Sequence, residues 1–346
     1  SPSVAPTTVR RMTTGTATAN LDVHGLRATV NGDWPEVVEA LRRDFAWFEA
    51  SPGEVGLVVE VRRRTPDLDR FGPLRASLVT DRNIVYRDEG RTIVDYLGGA
   101  VSVVDEGGRR FRLDGEDGWV AHKAAFGFLL SAFGAHLDRV GLPRVHGLGL
   151  AGPAGGVLVM LPMGGGKTTL ALEALRADGV GLLSEGSPLL DREGRLCPFP
   201  LPLLVRSSSP EASMLPDEHV RRLEGIDPDP LTLEVAAFAD RVPREPVPLR
   251  HIVLGERLLA GAPTLGRLPR RSALAPLLRE SVVGFGFFQG IEFLLRGGPA
   301  AIVHRLGPMR RRSAHCTSAL RQAEVWRLGL GRDKEANWDA LARLLG

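Results

Sequence analysis

Cysteine is scarce in this 346-residue sequence: Cys197 and Cys316 are the only two, and they lie far apart. That excludes a disulfide framework and a cysteine-rich zinc site, and it suits a reducing cytoplasm. Lysine is nearly as rare, with Lys123, Lys167 and Lys334 alone among 44 basic residues. Neither sign of charge dominates, since those 44 face 41 acidic residues for a formal net charge of +3. A dedicated nucleic-acid binder needs a dense phosphate-neutralising face, so no nucleic acid is expected as a partner. Long apolar runs are missing too. The longest stretch without formal charge, residues 145–166, could span a bilayer by length but carries eight glycines and two prolines, so no membrane association is expected. Residues 1–20, rich in Thr, Ser, Ala and Pro, contain no apolar core of secretory-signal length and read as a flexible tail on a cytoplasmic protein.

What remains is an ordinary globular balance, 43% hydrophobic and 25% charged, at a length that suggests two domains. Residues 21–117 read as a small α+β domain. Alternation over 26–30 predicts a strand closed by an Asn31-Gly32 turn. Asp33 and Glu36 resemble a capping box, and Val37, Val38, Leu41, Phe45 and Phe48 at helical spacing predict a helix over 36–49. Short strands are expected at 56–61, 75–80, 83–86, 101–104 and 110–113. Residues 119–137 predict a helix apolar around much of its circumference, and the domain boundary is placed at the turn just before it.

Residues 118–346 form the second expected domain. A continuous apolar run at 156–161 reads as a buried central strand, followed by Pro162-Met163-Gly164-Gly165-Gly166-Lys167-Thr168-Thr169, a helix, and a second apolar strand ending at Glu185. This order has a chemical meaning. Glycines let consecutive main-chain N–H groups turn towards a phosphate, and the following helix adds unpaired amides and its positive dipole end. Lys167 supplies a mobile charge for β- and γ-phosphates, and the Thr168 hydroxyl suits Mg2+. Compared with the full G-x-x-x-x-G-K-[ST] pattern, Leu161 replaces the leading glycine, so Pro162 must build the loop entrance. Mostly helical material, with one strand near 249–254, is expected for the remainder.

The segments Val145-His146-Gly147, LPMGGGKTTLALEAL and GLLSEGSPLLDREGRLCPFPLPL resemble the catalytic domain of the HPr kinase/phosphorylase family. They are most similar to its shorter relatives, which include kinases encoded beside ribosomally made peptides, such as lasso-peptide kinases. The resemblance covers about residues 144–202 well and 244–254 loosely. It implies an α/β fold: a P-loop kinase domain of the phosphoenolpyruvate-carboxykinase type, preceded by the smaller α+β domain. It further implies ATP with Mg2+, and a serine hydroxyl on a peptide or small protein, such as a ribosomally made precursor peptide, as acceptor. By the same resemblance, Gly164, Gly165, Gly166, Lys167 and Thr168 bind phosphate, Thr168 and Glu185 hold the metal, and Glu185 and His146 are catalytic. The family ends the strand after the loop helix in two adjacent aspartates; here the pair is Glu185-Gly186. One carboxylate cannot easily serve both as base and as metal ligand, which motivates a second reading: a kinase-fold protein that binds a precursor peptide or partner protein without turnover.

Other features are weaker. Asp191-Arg192-Glu193-Gly194 reads as a hairpin turn. The runs 62–64 and 310–312 are basic, and the latter could grip an acidic peptide or a phosphate if it lay near the loop. His304 and His315 have no partner at metal-ligand spacing, and 285–288 reads as core. The acceptor and any homo-oligomer stay open.

Overall fold

The computed structural model describes residues 15–222, 230–284, 307 and 309–346. The expected core stretch at 285–288, His304 and residues 1–14 of the expected tail lie outside them. Mixed α/β architecture is distributed over two compact units, the first built chiefly from Ala28–Leu41 and Pro52–Ala125 and the second from Leu21–Arg27, Arg42–Ser51 and Phe126–Gly346.

The first unit is organised by an eight-stranded sheet. Its strands are β1 (Ala17–Val23), β2 (Leu26–Gly32), β3 (Leu57–Arg63), β4 (Ala76–Val79), β5 (Ile84–Asp88), β6 (Arg91–Asp95), β7 (Ala100–Val104) and β8 (Arg110–Gly115), in the order β1-β2-β3-β8-β7-β6-β5-β4. β2, β3 and β8 run parallel, and β8 back to β4 is an antiparallel meander. In β3, Leu57, Val59 and Val61 are buried while the residues between them are not, the two-residue period of a sheet with one covered face.

Several sequence expectations change here. β1 begins at Ala17, so residues 17–20 belong to a strand and not to the tail. β2 runs straight through Asn31-Gly32: Gly32 is needed because a Cβ there would stand 1.7 Å from the Val61 carbonyl oxygen, a close approach and not a turn. The Asp33 carboxylate accepts the Arg63 N–H at 2.8 Å, while the first N–H groups of helix α1 (Pro35–Asp44), those of Val37 and Val38, bond to the Trp34 carbonyl. The helix ends at Asp44, short of residue 49, and a 3-10 turn over Ala46–Phe48 follows. Buried Asp114 accepts Arg62 at 2.6 and 2.8 Å and pairs with Arg70 at 2.8 Å, so Arg62 belongs to an internal ion cluster.

Helix α2 (Gly118–Val140) starts where Asp117 accepts the N–H groups of Trp119 and Val120, the usual service of an N-terminal cap. Ala121, Ala125, Leu129, Phe133 and Leu137 are fully buried along it.

The second unit carries a mixed sheet: β9 (Leu148–Gly152), β10 (Gly155–Met160), β11 (Gly181–Glu185), β12 (Leu189–Leu190), β13 (Arg195–Cys197), then a small separate sheet of β14 (Leu203–Val205), β15 (Val220–Arg222) and β16 (Leu231–Leu233), and finally β17 (Val247–Arg257), β18 (Thr264–Leu268) and β19 (Glu324–Leu330). The main order is β11-β9-β10-β17-β13-β12, with β19 also on β17 and β18 on β19. β10, β17 and β19 are parallel; β9 runs antiparallel between β10 and β11, so β10 and β11 point the same way. β18 and β19 correct the expectation of a mostly helical remainder.

Helices cover both faces. Val157 and Val159 of β10 pack with Leu170, Ala171 and Ala174 of α3 (Lys167–Arg176). Leu158 and Met160 pack on the other side with Leu277 of the short α4 (Leu274–Leu278) and with Cys316 and Ala319 of α5 (309–322). A final helix, α6 (Lys334–Ala342), joins the α3 side through Leu341. A strand buried on both faces must be apolar at every position, which is why 156–161 shows no alternation. The turn at Asp191–Gly194 is the β12–β13 hairpin, with the Gly194 N–H bonded to the Asp191 carbonyl. Among the described residues, no helix is long and apolar enough to cross a membrane.

Candidate phosphate-binding site

The loop between β10 and α3 lies at the carboxyl ends of parallel strands, where open α/β sheets place ligands. Its geometry follows from a few residues. Leu161 is buried and continues the β10 core, and the Pro162 carbonyl accepts the Gly165 N–H at 2.9 Å to close the turn. Gly166 precedes α3 with φ +108°, and no side chain caps the helix. The first-turn N–H groups of Lys167, Thr168 and Thr169 have no intrahelical acceptor, as at any helix start.

The ammonium of Lys167 folds back over this loop and donates to the carbonyls of Leu161 at 2.8 Å and Pro162 at 3.3 Å. Burial lowers its pKa, against the opposing pull of Glu185 and Glu280. Thr168 donates its hydroxyl to Glu185 Oε1 at 3.3 Å. Burial raises the Glu185 pKa, and Lys167 and the Thr168 hydrogen bond hold the rise back. His146 precedes β9, and because Leu148 pairs with both Val159 and Glu185, the imidazole reaches the same end of the sheet. Its pKa is lowered by burial and by Lys167, with Glu280 opposing. The structure thus brings Lys167, Thr168, Glu185 and His146 into one cluster beside Gly164, Gly165 and Gly166.

The residue after Glu185 is Gly186, at the position of the resembling family's second aspartate. It sits at φ +106° with its N–H on the Gly147 carbonyl at 2.8 Å, a left-handed conformation that an aspartate would hold only under strain.

Two residues escape the sequence reading. Glu280 lies in a π-helical segment (Arg279–Gly284) and brings Oε2 to 3.3 Å from His146 Nδ1, while the His146 N–H bonds to the Glu280 carbonyl at 3.2 Å. No motif marks it. Arg257, exposed at the end of β17, places Nη1 3.7 Å from where a Gly166 Cβ would be. The parallel pairing of β17 with β10 carries it there, a signal available once 249–254 is read as the neighbouring strand.

Other features fall away from the site chemistry. Arg312, of the basic run at 310–312, is buried, donating to both oxygens of Asp138 at 2.9 and 2.7 Å and to the Ser281 carbonyl at 2.5 Å. It is a structural clamp and not a grip for an acidic ligand. His315 Nδ1 lies 2.7 Å from the Arg311 carbonyl oxygen. Both cysteines are buried and unbridged, and burial pushes the Cys197 thiol up to about 12.

Thr168 and Glu185 offer an oxygen pair that suits Mg2+, which takes one or two protein oxygens together with substrate phosphates. Among the described residues, no group of three or more His, Cys, Asp and Glu side chains could hold a metal by itself. Comparison of the sequence with protein-family models gives no match, and comparison with curated proteins gives none.

Proposed function

We propose that this protein is an ATP-dependent kinase of the HPr-kinase-like class, transferring a phosphoryl group to a serine hydroxyl on a peptide or small protein. One observation carries the reading: a strand, a glycine loop and a helix converge on Lys167, with a hydroxyl–carboxylate pair, Thr168 and Glu185, beside it. In this reading Gly164, Gly165, Gly166 and Lys167 bind the β- and γ-phosphates. The lysine exchanges two carbonyl acceptors for phosphate oxygens, and Arg257 adds a second cation from β17. Thr168 and Glu185 would hold Mg2+, which when bound neutralises phosphate charge. Catalysis of this type is mostly positioning and electrostatics.

A second reading has its own support. Gly186 leaves Glu185 without the neighbouring carboxylate of the resembling family, as a binding protein built on a kinase scaffold would tolerate. Two measurements separate the readings. Saturating Mg·ATP raises the melting temperature of a kinase; no shift removes the first reading. Incubation with serine-containing peptides and Mg·ATP adds the mass of one phosphoryl group; binding without that gain favours the second.

A further inference from the structure

The site contains a carboxylate in excess of what the metal and phosphates need: Glu280, which acts on both His146 and Lys167. Glu280 engages both of its oxygens: Oε1 accepts the Arg279 guanidinium at 2.9 Å, and Oε2 faces His146 Nδ1 at 3.3 Å. Its main chain is fixed as well. The Glu280 carbonyl takes the His146 N–H, and the next carbonyl, Ser281, takes buried Arg312, itself held by Asp138 of α2. Four elements therefore converge to hold one carboxylate against one histidine, in a segment with π-helical hydrogen bonding, a rare geometry that recurs at functional sites.

Resting on the kinase reading above, we propose that Glu280 supplies the carboxylate missing at Gly186, orienting His146 as the base that takes the acceptor's proton. Glu185 is then left to Thr168 and the metal. With Nδ1 turned to Glu280, the proton is taken at Nε2. The acceptor O–H bond breaks and its proton passes to Nε2. The acceptor oxygen bonds the γ-phosphorus, and the bond from that phosphorus to the β,γ-bridging oxygen breaks, its electron pair leaving on ADP. The imidazolium formed is balanced by the Glu280 carboxylate, the arrangement by which an acid residue stabilises a charged histidine. Glu280 is thus a positioning residue, and His146 the catalytic one.

The charged groups facing His146 set the sign of the pH dependence. Lys167 from α3 disfavours the imidazolium, Glu280 favours it, and Arg279 is paired to Glu280. A base must be neutral, so turnover falls on the acid side as His146 protonates. Glu280→Gln removes the favouring charge, moves that limb to lower pH and costs on the order of 10²-fold in kcat, the scale of general acid–base catalysis. KM for Mg·ATP stays within about threefold, because phosphate contacts are untouched.

The experiment uses the full chain with Mg·ATP, measuring phosphate release to water and transfer to a serine-containing peptide mixture from pH 5 to 9. Histidine 15N spectra follow the titration and tautomer of His146. The expected result is a lower His146 pKa and a displaced acid limb in Glu280→Gln, with partial rescue in Glu280→Asp. If wild-type protein turns over but Glu280→Gln changes neither the limb nor the His146 spectrum, the pairing is wrong while the kinase reading stands. Mg·ATP binding without any turnover overturns His146 as a base and favours the binding-protein reading. Failure of the wild-type chain to bind Mg·ATP ends both.

Discussion

Lys167 and Leu161 are joined across the glycine loop: the lysine ammonium donates to the Leu161 carbonyl at 2.8 Å, and both residues are buried. The ammonium is desolvated over these carbonyls, and its apolar stem fills the space that a methionine side chain would also fill. Lys167→Met is therefore expected to melt near the wild-type temperature. Its response to Mg·ATP should vanish, whereas under the proposed function the wild-type protein is expected to gain about 2.7 kcal/mol of stability at a ligand concentration 100 times Kd. Differential scanning calorimetry with and without nucleotide reads both quantities. An undiminished nucleotide shift in Lys167→Met overturns the phosphate role of the lysine.

Leu161 also accounts for the missing leading glycine. A Cβ on Gly255 of β17 would stand 2.3 Å from Leu161 Cδ2 and 2.6 Å from Cγ, so the leucine side chain fills the space that Gly255 leaves. Restoring the common loop pattern with Leu161→Gly should then destabilise the second unit by about 3 kcal/mol, in the range of large-to-small core changes. Gly255→Ala should cost about 1–3 kcal/mol through overpacking. Urea denaturation of both variants tests this. If Leu161→Gly is neutral, the leucine is not seated in the core as described.

These contacts also mark how far the sequence could be read. The loop, the strands on either side and Glu185 were legible because their chemistry is local: consecutive glycines, one lysine, one apolar run. The helix at α2 was legible for the same reason, and so was the turn before it, though not the Asp117 cap that the structure shows there. Gly32 was misread because its need for glycine comes from Val61 on another strand. β19 was missed because it is an inserted parallel strand, recognisable by its partner β17 and not by its own pattern. Glu280 could not be found at all. Its place beside His146 is decided by Arg312, Asp138 and the packing of three helical segments, none of which leaves a trace in spacing.

Acid should weaken the second unit through its buried histidines. His24, His146 and His251 all have pKa values below the ordinary 6.5, burial being the first cause in each. The unfolded chain then binds more protons than the folded one between 6.5 and the lower folded values, so stability rises with pH across that window and is lost as pH falls through it. Urea midpoints should be flat from pH 8 to 7 and should drop from about pH 6.5 downward. His146→Gln should flatten part of the drop. In Glu185→Gln, which lacks the opposing titration of that carboxylate, a midpoint independent of pH between 7 and 5 contradicts the burial of these rings.

Glu185 gives the opposite sign. Its pKa is raised by burial, so the folded protein holds the proton more tightly than the unfolded chain, and stability falls as pH rises above the ordinary carboxyl value of 4.5. At pH 7.5 the carboxylate is a cost that the fold bears. Glu185→Gln, which resembles the protonated form, should melt a few degrees higher than wild type at that pH, on the rule that 1 kcal/mol moves a domain of 150–250 residues by about 2–4 °C. Near pH 4 the difference should shrink, because wild-type Glu185 is then protonated in both states. On the proposed function, the same variant also replaces the charged oxygen offered to Mg2+ with a neutral amide oxygen, so nucleotide stabilisation should depend less on the metal. Melting curves at the two pH values, with ATP in EDTA or in excess Mg2+, separate the effects. A variant that melts lower than wild type at pH 7.5 and keeps its full response to Mg2+ would show that Glu185 is a structural carboxylate, leaving the metal to other groups.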